Sequence, residues 1–143
     1  ASTGASADLL HIVQGGANKK LTVQNLLENV AGNVKIDGFL AFDGTAEATT
    51  AAGSAVAIGV TAPLTNITST GATVSGNSLT LANGVQGQIK IITLIVDGGN
   101  VDVTPANFLN GTKWTMEDAG DSMTVIFNGA NWQVLANNGC TVS

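Results

Sequence analysis

From residue 33 to the C-terminus, apolar residues return at every second position in short runs, and most runs close on glycine or asparagine. A period of two with such punctuation restricts the chain to short, half-buried strands joined by tight turns. "VKIDGFLAF" sets Val34, Ile36, Leu40 and Phe42 against Lys35, Asp37 and Phe39, with Gly38 at a candidate bulge. After the low-complexity stretch "GTAEATTAAGSAVAIG", Val56, Ile58 and Val60 take up the alternation until Pro63 interrupts it, and Leu79 and Leu81 mark a further strand. "QIKIITLIVDGG" is apolar at both parities from Ile89 to Val96, which predicts a central strand covered on both faces. It leaves through a turn at Asp97-Gly98-Gly99-Asn100. "NVDVTP", "GTKWTM" with Thr112, Trp114 and Met116 in step, and "SMTVIF" continue the rhythm, and "NGAN" joins the last of these to "WQVLA" as the clearest hairpin. The expected fold is all-β, a β-sandwich or jelly-roll-like domain over residues 33–143.

The first 32 residues read differently. Residues 1–7 are small and polar, and residues 8–20, "DLLHIVQGGANKK", place an apolar run from Leu9 to Val13 before Gly15-Gly16 and the pair Lys19-Lys20. The run predicts a short strand over 8–14. Thr22 is a good N-cap for a short helix whose Val23, Leu26, Leu27 and Val30 follow helical spacing, with Gly32 as the stop. Two turns of helix are unstable alone, so this extended arm borrows stability from what it docks against. Leu9, Leu10, Ile12, Val13, Leu26 and Leu27 are the candidate docking residues.

Charge and composition exclude several functions. Only 10% of the 143 residues are charged, the net charge is −5, and the five cations are all lysines. Nucleic-acid binding needs clustered cations and arginine forks, so it is disfavoured. The apolar run Ile89–Val96 is far short of the ~20 residues of a spanning helix, which argues against a membrane. The N-terminus has neither the basic nor the long apolar region of a signal peptide, as expected of a protein made in the cytoplasm. A surface dressed in neutral Thr, Ser, Asn and Gln has little self-repulsion, so an oligomer is expected.

No catalytic device emerges. His11 is the single histidine and has no partner suggested by spacing; it reads as a packed or interfacial residue. Glu117, Asp118 and Asp121, and Asp97 with Asp102, fall short of the 6–8 oxygen ligands of a calcium site and read as solvated turn charges. No cofactor or metal motif is present. Cys140, the sole cysteine, reads as a partly exposed, inert thiol. Of the aromatics Phe39, Phe42, Phe108, Trp114, Phe127 and Trp132, most are expected in the core; Trp114 and Trp132 are the candidates for a glycan contact, each beside a polar strand end. "NIT" at 66–68 and "NGT" at 110–112 match the glycosylation pattern by accident.

"VQGGANKKLTVQNLLENV", then a Gly, Ala and Thr-rich β-region, then "SLTLANGVQGQIKIITLIVDGGNVDVTP" leading to "AGDSMTVIFNGANWQVL", resembles small virion proteins of tailed bacteriophages: capsid decoration (cement) proteins and related head-fibre or tail-fibre modules. The resemblance implies a non-enzymatic structural protein on the outer capsid surface. Its arm would engage the major capsid protein, and its β-domain would associate as a homotrimer. The alternative it leaves open is a fibre or adhesin module that binds a host surface glycan.

Overall fold

The computed structural model describes residues 9–14, 17–22, 47–51, 55–70 and 78–143, the first two stretches as backbone. Its contacts divide the chain into two compact units, residues 1–41 and 42–143. In the first, β1 (Leu9–Gln14) and β2 (Ala17–Thr22) form an antiparallel hairpin in which Leu9 faces Thr22 and Gln14 faces Ala17. The expected strand over 8–14 is there, and Lys19 and Lys20 lie in its partner.

Among its described residues, the second unit holds ten strands in two mixed sheets. One sheet has the order β11-β10-β7-β5-β3, from β3 (Glu47–Ala51), β5 (Leu64–Ser69), β7 (Ile89–Val96), β10 (Ser122–Phe127) and β11 (Trp132–Asn138). The other has the order β12-β9-β8-β6-β4, from β4 (Val56–Ile58), β6 (Ser78–Leu81), β8 (Val101–Pro105), β9 (Trp114–Met116) and β12 (Thr141–Val142). Inward residues of both sheets, among them Ile67, Ile92 and Met123 from the first and Leu79, Val103 and Trp114 from the second, make one core. The fold is thus all-β and sandwich-like. Among the described residues there is no helix. The helix expected after Thr22 and the strand through Val34, Ile36, Leu40 and Phe42 lie outside them.

The connections depart from the jelly-roll expectation. From β3 to β8 the chain changes sheet at every strand, so β3, β5 and β7 are parallel neighbours in one sheet, and β4, β6 and β8 in the other. A jelly roll is built from antiparallel Greek keys, whereas three stacked strand-arch-strand units must return in the same direction each time. The stacking is visible where β7 crosses to β8. Asp97 Oδ1 accepts a hydrogen bond from the Gly99 amide at 2.8 Å, and the Ser69 hydroxyl at the end of β5 donates to the Gly99 carbonyl at 2.6 Å. A Cβ on Gly98 would lie 2.3 Å from the Ser69 carbonyl oxygen, so the arch passes where only glycine fits. The final third is antiparallel, and the "NGAN" hairpin joins β10 to β11 with Phe127 opposite Trp132, as its sequence predicts.

Strand β7 corrects a second expectation. It is central in its sheet, between β10 and β5, but only Lys90, Ile92 and Leu94 are buried. Ile89 is exposed and Ile91 and Thr93 half-buried on the opposite face. Its double apolar pattern reflects a covered face and a second face that this unit leaves open.

Candidate functional site

The hairpin register distributes the predicted docking residues. Directly opposed residues of an antiparallel pair share a face, and the faces alternate along each strand. Leu10, opposite Leu21, and Ile12, opposite Lys19, therefore fall on one face; Leu9, opposite Thr22, and Val13, opposite Asn18, fall on the other with His11 and Lys20. Both faces carry apolar positions. A two-stranded ribbon is marginal in water by itself, so apolar positions on both faces call for cover beyond the ribbon's own two strands. Leu26 and Leu27 lie outside the described residues.

A second surface was not anticipated. The outer face of the sheet around β7 carries Leu64 directly opposite Ile91, Ile91 opposite Thr124, and Ile89 opposite Ile126. Its other outward positions among the described residues are Ile95, which is exposed, and Thr, Ser, Asn, Ala and Gln, with no charge among them. The outer face of the second sheet is different. Asp102 accepts from Lys113 Nζ at 2.6 Å and from the Thr115 hydroxyl at 2.6 Å, and exposed threonines flank them. A shallow open depression there, lined by Thr80, Leu81, Ala82, Thr104, Pro105 and Ala106, holds no titratable side chain.

Inside the sandwich lies a polar cluster that the sequence reading missed. Lys90 is fully buried; its Nζ donates to the Ala62 carbonyl at 2.8 Å and to Thr65 Oγ1 at 2.6 Å, and lies 3.5 Å from Glu47 Oε2. Thr65 in turn donates to Glu47 Oε2 at 2.7 Å, and the Gly59 amide donates to Glu47 Oε1 at 2.7 Å. Burial lowers the Lys90 pKa, and Glu47 offsets this only in part. For Glu47, burial works to raise the pKa, but the Gly59 amide, Thr65 and Lys90 together overcome it and hold the carboxyl below its ordinary value. The partners differ because Lys90 has no exposed side-chain surface while Glu47 keeps 23% of its own. The cluster ties edge strand β3 to β5 and β7. The signal for it was parity: Lys90 is in step with Ile92 and Leu94.

The remaining sequence candidates are structural. Trp114 and Trp132 are both fully buried, which corrects their reading as glycan contacts: neither offers a platform. The Trp132 Nε1 donates to the Ala82 carbonyl at 2.9 Å, its ring meets Phe127 edge-on at 5.2 Å, and Phe108 tilts against Trp114 at 5.3 Å. The Trp114 Nε1 has no hydrogen-bond partner among the described residues. Asp121 is buried rather than solvated. Its Oδ2 accepts from the Glu117 and Asp118 amides at 2.7 and 3.0 Å, closing the turn between β9 and β10. Cys140 is buried too. Burial first, and Asp121 second, push its thiol up to about 11, which keeps it protonated and inert. No group of three or more metal-ligating side chains occurs among the described residues.

No known family model matches the chain, and a search of curated proteins finds no match.

Proposed function

We propose that this chain is a structural protein of a tailed-bacteriophage particle: a capsid decoration protein, sited on the outer surface of the head, that binds the major capsid protein through its N-terminal arm and stabilises the lattice. The observation that carries this reading is the β1–β2 hairpin, a ribbon with apolar positions on both faces and contacts grouped apart from those of the sandwich. Such a ribbon gains from insertion between two protein surfaces. Several weak arms on one oligomer would hold by avidity, so each can be short. The helix proposed after Thr22 extends the same docking element, and the β-domain faces outward. The rival fibre or adhesin reading loses its aromatic platform with the burial of Trp114 and Trp132.

Co-sedimentation with mature capsids stripped of accessory proteins tests the proposal. Stoichiometric pelleting of the full chain, lost when residues 1–32 are deleted, is the expected result. Absence of pelleting by the full chain would overturn it.

A further inference from the structure

We propose that the outer face of the sheet around β7 is the surface through which copies of this chain pack on one another, like face against like face. The inference is independent of the capsid reading and rests on three properties of the face.

The first is chemistry. Leu64, Ile89, Ile91 and Ile126 form an apolar centre through direct cross-strand pairs, where alternation on a solvated sheet would place charged or strongly polar residues. The second is charge. The chain carries a net −5, so copies repel, yet among the described residues of the sandwich no charged side chain stands on this face. Glu47 and Lys90 of the same sheet take part in the internal cluster, Asp97 sits in the arch, Asp102 and Lys113 belong to the other sheet, and Glu117, Asp118 and Asp121 lie in the β9–β10 turn. Apposing two such faces removes no ion from water, whereas a charged partner would have to give up its hydration without a counter-charge.

The third is size. Five strands about 4.8 Å apart and about six residues long make a face of roughly 20 by 24 Å. Apposing two of them buries on the order of 1,000 Å², the area at which specific interfaces begin. A second copy supplies the matching flat, uncharged surface by construction, and sheets pack face to face at about 10 Å spacing. The opposite sheet, with Asp102, Lys113 and exposed threonines outward, stays in water.

Sedimentation equilibrium of the full chain over a wide concentration range tests this with three variants. Thr124→Lys and Ile89→Lys put a cation on the face, and Thr80→Lys puts one on the exposed surface of the other sheet; circular dichroism and melting establish that each is folded. The expected result is a wild-type oligomer that dissociates on dilution, with association weakened on the order of a hundredfold by Thr124→Lys and Ile89→Lys and unchanged by Thr80→Lys. Because Thr124 is already polar and half-exposed, its replacement leaves the core intact. A wild-type chain that is monomeric throughout, or an oligomer indifferent to folded Thr124→Lys, would overturn the proposal. Capsid binding is read separately, so either proposal can fail alone.

Discussion

Lys90 is the residue on which the sandwich depends in a way that its apolar neighbours do not share. A buried ammonium is tolerable only while its partners are in place, and here they are the Ala62 carbonyl, Thr65 and Glu47. Glu47→Ala removes the counter-charge and also the acceptor for the Gly59 amide and the Thr65 hydroxyl. It should cost about 3 kcal/mol, read from the urea midpoint. Lys90→Met keeps an apolar stem of similar length among Ile92 and Val125 and should cost less, which reverses the order expected if the lysine contributed stability by its charge alone. The pH dependence follows in sign. Glu47 has a lowered pKa in the folded state, so its contribution is present above the pKa of the unfolded chain and is lost as pH falls through the lower, folded value. Lys90 also has a lowered folded pKa, so its penalty holds at neutral pH and is relieved as pH rises towards the ordinary lysine value. Stability measured against pH should therefore fall on the acid side in the wild type and less steeply in Glu47→Gln, while Lys90→Met should lose the alkaline gain.

At the scale of elements, alternation made the strands legible but not their neighbours. The runs through Leu79, Val103, Met123 and Phe127 show which parity faces inward, and the structure buries those residues. The turn at residues 128–131 shows that β10 and β11 pair, because only a tight hairpin fits so short a connection. Nothing in period two distinguishes an arch that crosses to the other sheet from a hairpin that stays in its own, so the parallel stacking of β3, β5 and β7 was invisible. The same limit explains β7, whose outward isoleucines look like a second buried face when read without a partner. Lys90 was hidden for the opposite reason: a charge in a strand is expected outside, and only its parity said otherwise. The arch between β7 and β8 offers a test of the stacking. Gly98→Val would drive its side chain into the Ser69 carbonyl and should cost about 2–3 kcal/mol, whereas Gly87→Ala, strained in backbone but in open space, should cost about 1. Equal thermal shifts for the two variants would contradict the close approach.

For the whole molecule, the two units have separate proposed tasks: attachment through the hairpin, and self-packing through the uncharged face of the sandwich. The division was partly readable from sequence, since the apolar run at Leu9–Val13 stands apart from the alternating region by composition alone. The two apolar faces are implicit in that run too, since Leu9 and Val13 differ in parity from Leu10 and Ile12; what the sequence did not show is the second strand of the hairpin and which of its residues share each face. That two-sidedness is the central claim, and capsid-binding titration of point variants on each hairpin face tests it most directly. Ile12→Asp and Val13→Asp lie on opposite faces of β1, and each should abolish pelleting with stripped capsids while the melting temperature of the sandwich stays at the wild-type value. Undiminished binding by either folded variant would show that the corresponding face is not docked, and would contradict the account.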